Sequence, residues 1–283
     1  MKYLMAGIRL FFLLIYVIVL IIFLLLLYVL TRPFGKKFSI RLLHNMTPVL
    51  AFPLRKLMGV RMHIYGKEHI PKKQAFLMAT NHIGYVELFS LFKIRPMAFV
   101  SKDEVEKWPV VGTMLKSVGT VFVDRMTGGL SEQYIQAVAE AMKNRINFWF
   151  SPEKTTNDGT WLRPFSSALF VVANRLKCPL VPAAFVIKKL NGKPITPERR
   201  PEVAWTRDDH GGEISFFKHF MHFFTLRSVH LEMHILEPVI PHYDDNDIVE
   251  RRAFSGEVWE RIADTLEKHE PAFDRQRNEP LNL

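Results

Sequence analysis

The chain has a single cysteine, Cys178, in 283 residues, so it forms no intrachain disulfide and builds no cysteine-based zinc cluster. Residues 1–67 contain no Asp or Glu, yet they carry Lys2, Arg9, Arg32, Lys36, Lys37, Arg41, Arg55, Lys56, Arg61 and Lys67. There is no internal repeat, no Gly-x-Ser-x-Gly turn and no glycine-rich phosphate loop. A formal net charge of +10 would by itself suggest nucleic acid, but its placement argues otherwise. The ten N-terminal cations account for the whole excess, and the rest of the chain carries 28 basic and 28 acidic residues. No basic helix with interleaved aromatics follows, so a nucleic-acid partner is not expected. A basic, acid-free segment beside an apolar run fits an anionic membrane surface instead.

That apolar run is residues 11–30, twenty residues without a charge. As a helix it measures about 30 Å, the thickness of the hydrocarbon core. It ends in Thr31-Arg32-Pro33-Phe34, which offers no small-residue cleavage site, so residues 1–32 are expected to be a membrane anchor. Spanning the bilayer and lying in one leaflet both remain open. Arg32, Lys36, Lys37 and Arg41 outnumber Lys2 and Arg9, which places the following bulk on the cytoplasmic side. Residues 33–59 mix apolar and basic groups and are interrupted by Pro48 and Pro53, so they read as broken interfacial helices.

From residue 60 short apolar runs alternate with helical stretches. Strands are expected at 60–65, 75–79, 97–100, 120–123, 147–150, 180–186 and 230–236, and helices at 86–92, 111–117, 131–144, 166–176 and 249–269. This order predicts an α/β domain over 60–272, a central largely parallel or mixed sheet flanked by helices, followed by a loose tail at 273–283. Residues 187–228, polar and then rich in phenylalanine, read as an insertion near the membrane or the substrate entrance.

His82 and Glu87 stand five positions apart after the apolar run 75–79. In a regular helix that spacing is about 140° of rotation, so the two side chains would diverge. They meet only if His82 lies on a strand-to-helix turn, which Gly84 permits. A carboxylate that holds one imidazole tautomer makes the ring a general base toward an alcohol. His219 and His222 have a ligand-like spacing but no third ligand nearby, so no metal is expected.

Four blocks occur in order: Asn81-His82-x4-Glu87, then 119–125 (GTVFVDR), 150–159 (FSPEKTTNDG) and 180–184 (LVPAA). Over roughly residues 75–186 the chain resembles the glycerolipid acyltransferase family, the 1-acylglycerol-3-phosphate acyltransferases and their relatives. The resemblance implies acyl transfer from an acyl-CoA or acyl carrier protein thioester to a lysolipid hydroxyl in a membrane, with no bound cofactor. It makes His82 the base and Glu87 its orienting acid. Lys102 and Arg125 become phosphate-binding groups, and Asn81, Phe122, Glu153, Lys154, Thr155 and Thr156 complete a substrate-binding set. The absence of a nucleophile elbow, with Cys178 outside the blocks, agrees with direct transfer rather than an acyl-enzyme.

The chain departs from the family pattern at three places. Glu87 stands where Asp is usual; the third block has Lys154 where Gly is usual and Thr156 where an arginine is expected to hold acceptor phosphate; and Ala168 stands where a glycine is common. The run 155–159 (TTNDG) resembles relatives that acylate lyso-ornithine lipid. Two alternatives therefore stand beside a lysophosphatidic acid acceptor: a different acceptor such as lyso-ornithine lipid, or a catalytically weak lipid-binding relative.

Overall fold

The computed structural model describes residues 2–88, 93–108, 111–123, 132–153, 155–206 and 215–277. The strands are β1 (Val60–Tyr65), β2 (Leu77–Thr80), β3 (Ala98–Lys102), β4 (Val121–Val123), β5 (Phe148–Phe150), β6 (Leu180–Leu190), β7 (Lys193–Pro194) and β8 (Val229–Ile235). Among the described residues they form one sheet in the order β1-β8-β6-β2-β5-β3-β4, with β7 hairpinned onto β6. The pairs β6-β2, β2-β5, β5-β3, β3-β4 and β1-β8 are parallel, and β8 runs antiparallel to β6. The sheet is thus mixed and largely parallel, as the alternating pattern predicts.

Central strands such as Leu77-Met78-Ala79 and Phe148-Trp149-Phe150 are buried throughout because both sheet faces are covered. On one face Met78, Trp149 and Phe185 pack with Phe223 and Phe224 at the end of an aromatic helix. On the other, Leu77, Phe148, Phe150 and Ala184 pack against three helices, Glu132–Lys143, Phe170–Leu176 and Ile248–His269. Edge strand β1 alternates buried and exposed residues instead.

The N-terminal region is a helical hairpin. Helix α1 (Lys2–Thr31) is long and apolar enough to cross a membrane, and most of its large side chains, including Phe11, Phe12, Ile18 and Ile22, are exposed. It turns at Gly35 (φ 87°) into α2 (Lys36–Leu57). The Tyr16 hydroxyl donates to the Leu50 carbonyl, and Ser39 donates to the Thr31 hydroxyl at 2.8 Å, so the two helices run antiparallel.

Several expectations change. The stretch expected as broken helices is one helix, although Pro48 lacks the N–H that would reach the His44 carbonyl. The Thr47 hydroxyl donates to that carbonyl at 2.7 Å and replaces the missing bond. The tail expected to be loose is held through its first residues: Asp274 N–H donates to the Thr160 carbonyl at 2.7 Å, and Arg275 pairs with Asp264 and Glu267 at 2.8 and 3.0 Å. Strand β6 runs on to Leu190, four residues into the expected insertion, because its antiparallel partner β8 keeps supplying hydrogen bonds. The helix expected at 166–176 begins only at Phe170, and that at 86–92 starts as a 3-10 turn, Tyr85–Glu87.

Candidate active site

Strand β2 ends at Thr80, whose hydroxyl accepts the Trp149 indole N–H at 2.8 Å across from β5. The next residue turns the chain out of the sheet. Asn81 is fully buried, and its side chain donates to the Phe185 carbonyl at 2.9 Å and accepts the Phe185 N–H at 2.7 Å. Both ends of that amide are occupied by the β6 backbone, so Asn81, expected in the substrate-binding set, is a brace between β2 and β6.

His82 follows on the open turn, its side chain 24% exposed. Its Nδ1 lies 3.2 Å from both oxygens of Glu87, whose carboxylate is completely buried. Glu87 also accepts the Gly84 N–H at 2.8 Å and the Ile83 N–H. Three donors therefore converge on one carboxylate. A carboxylate only accepts, so the ring proton sits on Nδ1 and the lone pair is left on Nε2, the outward nitrogen. Five positions are spanned because Gly84 adopts φ 121°, ψ −166°, a conformation essentially reserved for glycine. A Cβ there would also come within 3.2 Å of Trp205.

A second buried carboxylate holds the backbone of the same residue. Glu153, just past β5, accepts the His82 N–H at 2.7 Å on one oxygen. The other accepts the Asn157 amide at 2.6 Å and the Arg163 N–H at 2.8 Å. Asn157 N–H returns to the His82 carbonyl at 2.9 Å. Burial pushes the Glu153 carboxyl up to about 8, against the downward pull of the Arg163 and His82 N–H bonds. Glu153, expected to shape an acceptor site, thus clamps the main chain on both sides of the candidate base.

Thr156 donates its hydroxyl to the Trp205 carbonyl, and the Trp205 N–H reaches the Ile83 carbonyl at 3.1 Å. Trp205 ties the first and third blocks together and was invisible in the sequence, where it sits in a polar stretch far from both. The buried pair Arg200–Glu270, 2.5 Å apart, supports the same loop, with Arg200 donating to the Asp158 carbonyl at 3.1 Å. Thr155 is half-buried, its N–H turned back to the Glu153 carbonyl at 2.8 Å.

Two further expected residues, Lys102 and Phe122, lie on neighbouring parallel strands of the sheet. Lys102 closes β3, two strands from β2, and half-buried Phe122 lies on β4, three strands away. At a strand spacing of about 4.8 Å their backbones stand roughly 10 and 14 Å from β2. The Lys102 side chain, Arg125 and Lys154 lie outside the described residues.

Beside the turn, Tyr85 contacts Phe216, Phe220 and Phe223 of the aromatic helix Phe216–Phe223 edge-on at 5.5–5.7 Å. Its hydroxyl lies 2.9 Å from His219 Nδ1, while His219 Nε2 lies 2.9 Å from the Pro201 carbonyl. Burial lowers the His219 pKa, which favours the neutral ring, and only a ring that donates to the Pro201 carbonyl leaves Nδ1 to accept the Tyr85 hydroxyl. His219 is thereby a structural link.

Residues 61–186 match the profile of the family described as Acyltransferase. A 94-residue segment is 37% identical to the 1-acyl-sn-glycerol-3-phosphate acyltransferase of Neisseria gonorrhoeae, covering 33% of this chain and 37% of that protein. A 126-residue segment is 32% identical to the lyso-ornithine lipid O-acyltransferase of Rhodobacter capsulatus, covering 44% of each. The aligned segments thus span less than half the length of these curated relatives. The fold is similar to that of the 1-acyl-sn-glycerophosphate acyltransferase of Thermotoga maritima, with a TM-score of 0.64, 16% identity, and coverage of 95% of this chain and 97% of that one.

Proposed function

From the acyltransferase-family domain that this chain carries at residues 61–186, we propose that it moves a fatty acyl group from a coenzyme A or acyl carrier protein thioester to the hydroxyl of a lysolipid. The observation that carries this reading is the His82–Glu87 pair, with Nδ1 at 3.2 Å from both carboxylate oxygens. Nε2 takes the proton of the acceptor hydroxyl as its oxygen attacks the thioester carbonyl. The tetrahedral intermediate collapses with cleavage of the C–S bond, and the thiolate takes the proton back from Nε2. Glu87 stabilises the transient imidazolium without itself being protonated. No covalent enzyme intermediate is formed.

Lysophosphatidic acid or a related lysophospholipid is the first acceptor. A second reading, lyso-ornithine lipid, draws on one observation: Thr156 replaces the expected phosphate-holding arginine and directs its hydroxyl to the Trp205 carbonyl. Residues 60–272 would be the transferase unit and the α1–α2 hairpin its membrane contact. Arg9 near the start of α1 donates to the Phe224 and Arg227 carbonyls at 3.3 and 3.0 Å. Lys37 at the start of α2 lies 3.5 Å from Glu140, and His44 contacts the Val118 carbonyl at 3.2 Å. A hairpin tied to the domain at both ends favours lying in one leaflet over crossing the bilayer, and its basic residues favour the cytoplasmic leaflet.

The test is a His82→Ala variant assayed with labelled acyl-CoA and acyl carrier protein against a panel of lysolipids. We expect transfer to fall about 10²–10⁴-fold. Persistent transfer would remove His82 as base, and a wild-type protein inactive toward every acceptor would favour the lipid-binding alternative.

A further inference from the structure

At the opposite end of the sheet from His82 lies a cavity of about 240 Å³ whose lining is basic. It is framed by the segments that enter β2, β3 and β5, whereas His82 and Glu153 follow the exits of β2 and β5. Arg41 and Asn45 reach it from α2, Lys72 and Lys73 from the loop before β2, Arg95 from before β3 and Arg145 from before β5. No Asp or Glu lines it, and none of the five cations is ion-paired among the described residues. Arg95 is anchored, donating to the Pro71 carbonyl at 3.1 Å. Five cations brought from four separated segments, with no counter-charge, form a concave anion site rather than a solvated stripe.

The geometry points to the phosphate of an anionic membrane lipid as the ligand. Arg41 and Asn45 are one turn apart on α2, and Phe38, Val49 and Phe52 are exposed on the same outer side of that helix. A lipid with its tails beside those side chains would place its headgroup phosphate against Arg41 and Asn45, within reach of Lys72, Lys73 and Arg145. Guanidinium and ammonium donors are the natural partners of phosphate oxygens. A free phosphate would use the same cations but gain nothing from Phe38 and Phe52. The site would seat the domain on the leaflet at the end of the sheet away from the chemistry. This assignment rests on the hairpin lying in a leaflet.

The experiment is flotation of the full chain with vesicles of phosphatidylcholine alone or with added phosphatidylglycerol, at matched ionic strength. Binding to neutral vesicles reads the hairpin. The gain on anionic vesicles reads the basic site, so the two failures are separable. Each basic residue near an anionic surface contributes about fivefold in affinity, so Lys72→Gln/Lys73→Gln should lose about 25-fold of the anionic gain and none of the neutral binding. Lys177→Gln/Lys268→Gln, the same charge change elsewhere, should lose less than about twofold. Asn45→Leu alters no charge and should still reduce the gain several-fold.

An undiminished gain in Asn45→Leu, or equal losses in the two double variants, would show a diffuse field and overturn the site. Release by inorganic phosphate at constant ionic strength, to the level seen with neutral vesicles, would reassign it to a soluble anion. Loss of acyl carrier protein binding in Lys72→Gln/Lys73→Gln with vesicle binding intact would reassign it to an acidic protein.

Discussion

Replacing Glu87 by Gln separates catalysis from folding at this site. In the structure the carboxylate accepts the Ile83 and Gly84 N–H groups on one oxygen, and both oxygens face His82 Nδ1. A glutamine that keeps its oxygen toward the two backbone N–H groups must turn its NH2 toward the imidazole. Nδ1 would then have to accept, which moves the ring proton to Nε2, the nitrogen that must be free to act as base. The fold loses little, because every donor still meets an acceptor. The net change is about 1 kcal/mol, a Tm shift of about 2–4 °C. Activity loses the base, which is worth about 10²–10⁴-fold. The assay is acyl transfer from labelled acyl-CoA to a lysolipid in mixed micelles, with Tm measured on the same samples. If the pair acts as a unit, His82→Ala/Glu87→Gln should be no slower than His82→Ala alone. A Glu87→Gln enzyme within about tenfold of wild type, or a double variant whose losses multiply, would refute the tautomer argument.

Two further outcomes follow from the neighbouring buried groups. Asn81→Leu leaves the Phe185 N–H and carbonyl without partners, at about 1–3 kcal/mol each, so chemical denaturation should show a loss of about 2–6 kcal/mol. The KM for lysolipid in the remaining folded protein should be unchanged, and a raised KM with intact stability would return Asn81 to the substrate site. Glu153 gives a pH dependence. Its folded pKa of about 8 lies above the roughly 4.3 of an unfolded chain, so the folded state holds the proton more tightly. Its stabilising contribution is complete below pH of about 4.3 and is lost as pH rises to about 8. Relative to Glu153→Gln, the wild type should therefore lose stability across that window, by at most about 1.4 kcal/mol per pH unit, read from urea midpoints. A flat difference would mean that the His82, Asn157 and Arg163 donors hold the carboxylate ionised.

The sheet was legible because its strands are short, apolar and separated by helical stretches, and burial on both faces leaves exactly that signature in 77–79 and 148–150. The His82–Glu87 contact was legible because only a turn at Gly84 could join residues five apart. The continuity of α2 was not, because it depends on the Thr47 hydroxyl reaching the carbonyl orphaned by Pro48. Sequence spacing reports neither a capped proline nor the direction of a side chain. For the same reason Asn81 and Glu153 read as substrate contacts. A motif places polar groups near a histidine, but only geometry shows that Asn81 is taken up by the β6 backbone and Glu153 by the His82 and Arg163 N–H groups and the Asn157 amide. Trp205 and the Arg200–Glu270 pair were beyond reach, since each joins segments dozens of residues apart.

The substitution of glutamate for aspartate at position 87 has a physical reading in this arrangement. An aspartate would end about 1.5 Å short of the present carboxylate, too far from Nδ1 unless the backbone moved inward. Trp205 borders this turn: its N–H donates to the Ile83 carbonyl at 3.1 Å, and a Cβ on Gly84 would stand 3.2 Å from it. Thr156 fixes the other side of Trp205 through its carbonyl. Glu87 and Thr156 are thus joined by a chain of hydrogen bonds through Ile83 and Trp205. Trp205 is bonded to the turn at Ile83, Glu87 reaches His82 Nδ1 within the turn, and the Thr156 hydroxyl is spent on Trp205. The two departures from the family pattern therefore lie on one hydrogen-bonded path, which also carries the turn between His82 and Glu87.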